Sequence, residues 1–336
     1  MSLDLAGFSP ADTTEIRRRL EIVRSSRERA RLAAEHGRTG VAPFLASPDV
    51  ETVELVGGAG LSGYARRGRW AVTPGDVVAP EHWTEEALDE YLDVLRSRRL
   101  RPAFLAVADV EPLRRRGFDV TEIADEAVID LASFSLAGSK RANIRHSTTS
   151  ARRAGLVVRP FDERDAPQIE EISREWLRTK RGGEMGFTLS RYEEVSDQVH
   201  DHSADLWVTV DASDRVQAWC TWRHYLGGQG RVLDVMRRRP DAPNPAMDGL
   251  MATVLENYRD AGLSLASLAS VPRGHGDLAE RVYPTRSLRA YKQKFAPRWE
   301  TRWLAVPAAR QRLFALMAVG RAYCPGGLGR ALRPNR

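Results

Sequence analysis

The sequence predicts an α/β protein of two domains, and three observations support that prediction. The chain has 336 residues, more than the roughly 250 residues at which a single hydrophobic core usually stops growing. Short apolar segments alternate with longer amphipathic ones, as strands and helices do. That order occurs twice, once on each side of an arginine-rich segment at residues 138–155. A content of 42% hydrophobic and 29% charged residues excludes a disordered or fibrous chain.

The first half divides into a helical segment at 1–40 and a predicted domain at 41–137. Ser9-Pro10 is a helix start signal, and the apolar residues that follow it among arginines and glutamates predict a helix over 9–37. In the domain, a Pro-Gly-Asp turn at 74–76 and a glycine at 117 bound the elements. The predicted elements are strands at 53–56, 70–72, 103–107 and 127–131 and helices at 84–99 and 110–116.

The second half divides into a predicted domain at 156–306 and an amphipathic tail at 307–336. Apolar runs rich in valine and tryptophan favour strands, and longer one-sided patterns favour helices. The predicted elements are strands at 157–158, 206–210, 216–222, 230–236 and 263–268 and helices at 166–180 and 247–261. In the tail, apolar residues lie among arginines at 311–323, which suits either an anionic bilayer surface or a helix that packs on the core.

The segment between the two predicted domains carries the densest charge of one sign. No acidic residue occurs between Asp130 and Asp162. A helix over 139–154 would bring several of its cations to one face, which predicts contact with phosphate or RNA. The net charge of +6 also favours a polyanionic partner, although a solvated helix without a specific role is the alternative. The candidate phosphate-binding residues are Lys140, Arg141, Arg145, Arg152 and Arg153.

Cysteine usage and hydropathy limit the classes of protein and the kinds of site that the chain can represent. The two cysteines, Cys220 and Cys324, are far apart and lack neighbouring histidines, so no disulfide framework, zinc site or other metal site is expected. No apolar run reaches the about 18 residues of a spanning helix, and the N-terminus has no signal-peptide core. We therefore expect a cytoplasmic protein, either free or peripheral on the inner face of a membrane.

Eight short blocks, in a fixed order over about two thirds of the chain, resemble the C-terminal domain of the lysylphosphatidylglycerol synthases, the multiple peptide resistance factors. The blocks that carry the resemblance are Arg116-Gly117-Phe118, Asp125-Glu126-Ala127-Val128-Ile129-Asp130-Leu131, Phe134-Ser135-Leu136-Ala137-Gly138-Ser139-Lys140-Arg141, Ile172-Ser173-Arg174-Glu175-Trp176-Leu177, Gly186-Phe187-Thr188-Leu189, Asp234-Val235-Met236-Arg237-Arg238, Met247-Asp248-Gly249-Leu250 and Leu288-Arg289-Ala290-Tyr291-Lys292-Gln293-Lys294-Phe295-Ala296-Pro297-Arg298-Trp299.

The resemblance implies two tandem N-acetyltransferase-like domains joined by a basic helix, the first domain being largely structural. It also implies transfer of an amino acid from aminoacyl-tRNA, as co-substrate and without a cofactor, to the hydroxyl of a lipid such as phosphatidylglycerol. Residues 265–272 and 285–287 depart from the family pattern near the expected acceptor pocket. A small amine or hydroxylamine from natural-product biosynthesis therefore stays open as the acceptor, and the amino acid cannot be read from the sequence.

Asp234 and Arg237 are the candidate catalytic residues. An aminoacyl ester is already activated, so an enzyme has chiefly to position it, remove a proton and stabilise an oxyanion. We expect the two residues at the end of a strand, where a carboxylate can hold the α-amino group and a guanidinium can hold a phosphate or ester oxygen. The alternative is a local salt bridge on a turn.

Three further residues are candidates for substrate or tRNA binding. Lys292 and Lys294 alternate within 291–295, so a strand there would point both toward one face, for phosphate contact or as the protective lysines of an exposed edge. Asp248 begins a predicted helix, where capping is the favoured interpretation and lining of the site is the other. His224 and Tyr225 are conceivable proton relays but are not selected.

Two other functions compete with aminoacyl transfer. An acyl-CoA-dependent N-acyltransferase would share the fold, but it needs a Gln/Arg-x-x-Gly-x-Gly/Ala loop for pyrophosphate. Residues 259–264 come nearest and fail at the last position. A non-catalytic adaptor that binds RNA or a membrane through the basic segment would not need Asp234.

Overall fold

The computed structural model describes residues 26–179, 185–273 and 285–324. In these ranges the strands are β1 Glu51–Leu55, β2 Gly60–Arg67, β3 Trp70–Pro74, β4 Arg101–Val107, β5 Asp119–Asp130, β6 Val157–Pro160, β7 Ala204–Val210, β8 Val216–Tyr225, β9 Gly230–Arg238, β10 Leu265–Pro272 and β11 Arg298–Val306. The α-helices are α1 26–36, α2 Thr84–Ser97, α3 Glu111–Arg115, α4 Ala142–Arg153, α5 Ala166–Arg178, α6 Tyr192–His200, α7 Pro245–Asp260, α8 Thr285–Gln293 and α9 Arg312–Tyr323.

All of these strands belong to one mixed sheet, which confirms the α/β prediction. Their spatial order is β1-β2-β3-β4-β11-β5-β10-β9-β8-β7-β6. The last strand, β11, lies between β4 and β5 and is antiparallel to both, while β5 is also antiparallel to β10. Each half of the chain therefore places one long strand against the other half. The two halves, which residues 138–155 connect, thus share one continuous sheet.

A buried ion pair joins the strands at the centre of this sheet. Glu126 on β5 accepts a hydrogen bond from the Arg302 guanidinium on β11 at 2.6 Å and another from the hydroxyl of Ser267 on β10. The Glu126 and Arg302 side chains are only 3% and 7% exposed. Because three strands from both halves meet here, this contact fixes their relative register.

Helices cover both faces of the sheet. On one face α4 and α7 pack over Ala127, Ile129 and Leu233. Gly249 on α7 permits a close approach of α4, because a Cβ at that position would lie 2.9 Å from the Ala151 Cβ. On the other face, α5 and α6 pack over a core that includes Trp219.

Most predicted elements are present, with one clear error. The helix predicted at 139–154 is α4, and the part of the 9–37 helix within the described residues is α1, whereas 9–25 lie outside them. The predicted strand at 291–295 is wrong, because Lys292 lies in helix α8 and Lys294 directly after it. Tyr291 and Phe295 are spaced four residues apart and both pack on the core under α7, a helical rather than a strand periodicity.

The C-terminal helix α9 packs on β2 and β3. Its buried face consists of Ala315, Ala318, Val319 and Ala322. Packing on the core, one of the two predicted arrangements, is therefore observed. None of the helices in the described ranges combines the length and the apolarity needed to cross a bilayer.

Candidate active site at a strand bulge

The sheet opens between β9 and β10. These parallel strands pair only from Leu265–Ser267 to Gly230–Val232, although β9 continues to Arg238 and β10 to Pro272. In β10 the pairing with β5 shifts between Ser267 and Ser270, and Ala269 adopts a φ of 62°. The gap between residues 234–238 of β9 and 269–272 of β10 is here called the wedge. Side chains and backbone groups of both strands border it.

A β-bulge explains why the side chains of Asp234 and Arg237 lie on the same face of the sheet. In a regular strand, residues three apart point to opposite faces. The register between β8 and β9 shifts between Cys220 and Trp222, and the Val235 N–H donates to the Thr221 hydroxyl at 3.1 Å. The extra residue turns the strand, so both side chains lie on the face covered by α5 and α6. Arg237 has the expected position near a strand end, one residue before β9 ends, whereas Asp234 lies inside the strand.

The Asp234 carboxylate is held by one oxygen only. Its Oδ1 accepts the Ser190 N–H at 3.0 Å, and its Oδ2 is buried without a hydrogen-bond partner among the described residues. Burial raises the pKa of Asp234, and the charges of Arg223 and Arg237, with the Ser190 contact, oppose the rise. The site thus presents a carboxylate oxygen that a cationic ligand group can pair.

The Arg237 guanidinium is fixed between aromatic rings. Its central carbon lies 4.5 Å from the ring centroid of Trp176 on α5 and 5.6 Å from that of Trp219 on β8. The residue is 3% exposed. Cation–π contacts with these two rings restrict the rotamers of Arg237, which favours a preorganised positive charge beside Asp234.

Two residues of this site were missed in the sequence, Arg223 on β8 and Glu194 on α6. Arg223 is 3% exposed, its Nε and Nη1 have no hydrogen-bond partner among the described residues, and burial lowers its pKa against the attraction of Asp234 and Glu194. Glu194 Oε2 is likewise buried without a described partner, and burial raises the pKa of Glu194 to about 7. An arginine that continues the apolar run at 216–222 was the available signal, because charge inside a buried strand is rare without a role.

Lys292 lies at the other border of the wedge. Its Nζ donates to the carbonyls of Ala269 at 2.9 Å and Ser270 at 3.1 Å, the residues at the β10 irregularity. It is 4% exposed, and burial lowers its pKa to about 7. The prediction of an exposed strand lysine is wrong. Lys292 is instead a buried amine whose pKa is close to neutral pH.

Asp248 and Lys294 form a second polar cluster, under α4. The Lys294 Nζ lies 3.1 Å from the Asp248 carboxylate, and the Ser147 hydroxyl donates to it at 3.0 Å. Asp248 makes no side-chain cap contact at the start of α7, so the capping interpretation is wrong. The buried hydroxyl of Tyr291 in this cluster has no hydrogen-bond partner among the described residues.

The basic residues of 138–155 divide into two groups. The Arg141 guanidinium donates to the carbonyls of Phe295 and Ser135, and that of Arg145 donates to those of Leu136 and Gly138. These two arginines fasten the loop before α4. The residues left exposed without such contacts in the described ranges are Lys140, Arg152 and Arg153.

The remaining candidate residues make contacts that suit a structural role. His224 pairs with Asp205 at 2.9 Å, and Asp205 also accepts from Arg231 and Tyr258. Burial raises the pKa of Cys220 to about 12, which disfavours a thiolate. Over the ranges that the structure describes, no group of three or more potential ligands that could hold a metal ion is found.

Comparison with known proteins identifies the family. The family described as "Phosphatidylglycerol lysyltransferase, C-terminal" matches residues 29–306. The phosphatidylglycerol lysyltransferase of Staphylococcus aureus (strain MRSA252) is 26% identical over 256 residues, which are 69% of this chain and 30% of that protein. The chain thus spans about a third of the length of such relatives.

Solved structures share the fold. The C-terminal domain of an Agrobacterium fabrum protein described as a lysylphosphatidylglycerol synthetase has a TM-score of 0.78 at 23% identity, covering 91% of this chain and 99% of that one. L-PGS from Bacillus licheniformis has a TM-score of 0.77 at 22% identity, covering 90% and 96%. The family match extends over most of the chain, including β9, α7 and α8, and the chain therefore belongs to the family of phosphatidylglycerol lysyltransferase C-terminal domains.

Proposed function

We propose that this chain transfers an amino acid from aminoacyl-tRNA to the hydroxyl of a membrane lipid, with phosphatidylglycerol as the acceptor. The family and the activity named for its relatives support this aminoacyltransferase function. The observation that carries it is the bulge in β9, which sets a half-satisfied buried carboxylate, Asp234, beside the clamped guanidinium of Arg237. That pair suits a substrate with an ammonium group next to a polarised ester.

The donor end binds on the β9 side of the wedge. Asp234 Oδ2 pairs the α-ammonium group of the aminoacyl ester, and Glu194, with its pKa of about 7, supplies a second acceptor. Arg223 and Arg237 stabilise the negative charge that develops on the ester carbonyl oxygen. No covalent enzyme intermediate and no cofactor are needed, because the ester is activated already.

Lys292 is suited to take the proton of the attacking hydroxyl. A neutral amine uses two N–H groups for the carbonyls of Ala269 and Ser270 and keeps its lone pair. The lipid oxygen attacks the ester carbon and its proton passes to Nζ. The bond to the tRNA 3′ oxygen then breaks as that oxygen takes the proton from Nζ, which returns the amine to its neutral form. A base with a pKa of about 7 is matched to this task near neutral pH.

The tandem organisation remains part of the proposal. We assign residues 41–137 and 156–306 to two N-acetyltransferase-like units that exchange β5 and β11, since each of these strands lies against the other unit. The polar residues of the candidate site described above, including Asp234, Arg223 and Lys292, all come from 156–306. This supports a structural role for the first unit.

The tRNA contacts three exposed cations: Lys140, which lies just before α4, and Arg152 and Arg153, which lie at its C-terminal end. The support is that these side chains are exposed and that no acidic residue lies between 130 and 162 to weaken their field. Phosphate contacts of this kind position the substrate and carry no sequence information. The protein acts at the cytoplasmic side, where charged tRNA is found.

Transfer of a labelled amino acid from separately charged tRNAs tests the proposal, with phosphatidylglycerol and a panel of small amines as acceptors. We expect RNase-sensitive labelling of the lipid that Asp234→Asn lowers at least about 100-fold. Asp241→Asn is the matched control, because Asp241 is exposed and pairs only with Arg215 in the described contacts. Transfer only from acetyl-CoA, transfer that resists RNase, or labelling of small amines alone would refute the proposal.

A further inference from the structure

Helix α9 carries a large apolar surface that faces away from the protein. Four side chains on one side of the helix are far more exposed than apolar residues usually are: Leu313 66%, Phe314 56%, Leu316 40% and Met317 45%. The opposite side buries alanines and a valine against β2 and β3. A helix that is apolar all round normally has partners on both sides, so the outer side of α9 needs a partner too.

Arginines lie beside this apolar surface. Arg67, the last residue of β2, donates from its guanidinium to the Arg321 carbonyl at 2.9 Å. A surface cavity of about 140 Å³ is lined by Phe314 and Met317 together with Arg67 and Arg321. Arg67 and Arg321 are therefore in contact with the apolar side of α9.

The segment that contains α9 carries charge of one sign in its own sequence, and Arg312 at the start of the helix pairs with Asp119 on β5. From residue 301 to the end of the chain there is no aspartate or glutamate. Large apolar side chains surrounded by arginines match the boundary between acyl chains and anionic headgroups. The positive charge of this segment favours an anionic bilayer over a protein partner with ordinary mixed charge.

Helix α9 also contacts the segment that holds Asp234. The Tyr323 hydroxyl lies 2.6 Å from that of Thr188, and the Gly186 N–H donates to the Tyr323 carbonyl. Ser190, two residues after Thr188, donates its N–H to Asp234. A surface bound to α9 is thereby connected to the candidate active site through a short chain of packed residues.

We propose that the outer side of α9, with Arg67 and Arg321 beside it, forms a docking surface for an anionic lipid bilayer. This inference rests on the proposed function in taking the acceptor to be a bilayer lipid. The apolar side chains enter the headgroup boundary, the arginines pair lipid phosphates, and the wedge is held near the membrane.

Vesicle flotation tests the docking surface without any transfer assay. The full chain should float with phosphatidylglycerol-containing vesicles and much less with vesicles of phosphatidylcholine alone. The triple variant L313S/F314S/M317S should lower the partition coefficient at least about tenfold, and R67Q/R321Q should lower it mainly for the anionic vesicles. Val157→Ser is the matched control, because Val157 is 57% exposed on another part of the surface.

Circular dichroism and thermal unfolding show that the variants fold. Equal flotation of the triple variant and the native chain would overturn the inference. So would a dimer in sedimentation that the triple variant abolishes while neither protein floats, since α9 would then bind a second copy. Flotation that depends on α9 without lipid aminoacylation would contradict only the proposed function, whereas aminoacylation in detergent without α9-dependent flotation would contradict only the docking surface.

Discussion

Replacing Arg302 with methionine should destabilise the whole protein, because it leaves Glu126 buried without its cation. Glu126 is 3% exposed and would retain only the Ser267 hydroxyl as a strong partner. Breaking a buried pair from one side costs about 3–5 kcal/mol, whereas replacing both partners with neutral groups of similar volume is often tolerated. R302M should therefore lose about 3–5 kcal/mol of unfolding free energy, and E126Q/R302M should recover at least about half of that loss.

Urea unfolding of the native protein and both variants, followed by tryptophan fluorescence and circular dichroism, measures these free energies. Unfolding of the two halves should stay a single transition, because β5, β10 and β11 meet at this pair. The reasoning is refuted if R302M loses less than about 1 kcal/mol, or if the double variant is as unstable as R302M.

Three further changes test the packing, the electrostatics and the proposed tRNA contact. Gly249→Val should destabilise the protein by about 1–3 kcal/mol through its clash with α4. Ala151→Gly alone costs about 1 kcal/mol, but in the Gly249→Val background it should be neutral or stabilising, as a double-mutant cycle of thermal unfolding would show. Additive effects of the two changes would contradict the close approach of α4 and α7. Lys292→Met should remove a pH dependence, because the pKa of Lys292 in the folded protein, about 7, lies below the ordinary lysine pKa of 10.5. Between these two pH values the unfolded chain holds more protons than the folded one. The unfolding free energy of the native protein should thus rise relative to that of K292M as pH increases above about 7. An equal difference between the two proteins at pH 6.5 and at pH 9 would contradict this. R152Q/R153Q should weaken tRNA binding and reduce the salt slope by about 2; an unchanged slope in filter binding, with Arg96→Gln as control, would exclude these contacts.

Sequence patterns were sufficient for elements that depend on local periodicity. The helix predicted at 84–99 is observed as Thr84–Ser97, and the basic helix predicted at 139–154 as Ala142–Arg153. Both have apolar residues on one side and clear end signals. Lys292 shows the limit of such reasoning, because two lysines in alternation also fit the turn of a helix whose apolar residues, Tyr291 and Phe295, are four apart.

Pairing between distant strands could not be obtained in that way. The position of β11 between β4 and β5 depends on contacts such as Arg302 with Glu126, which are 176 residues apart. The bulge in β9 depends on the Thr221 hydroxyl of the neighbouring strand. Asp234 and Arg237 were selected from the sequence, but the reason that they share a face is this hydrogen bond, and Glu194 entered the site only through the packing of α6.

The energetics of the wedge give a physical reason to regard it as a binding site. Burying a polar group without a partner costs about 1–3 kcal/mol, and more when it is charged. Arg223, Glu194 and Asp234 each contain such an atom, judged against the described residues, although Coulomb attraction between them offsets part of the cost. Apolar side chains at these positions would give a more stable fold. A ligand that brings both a cationic and an electron-rich group would satisfy these atoms on binding, and an amino acid esterified to a hydroxyl has both.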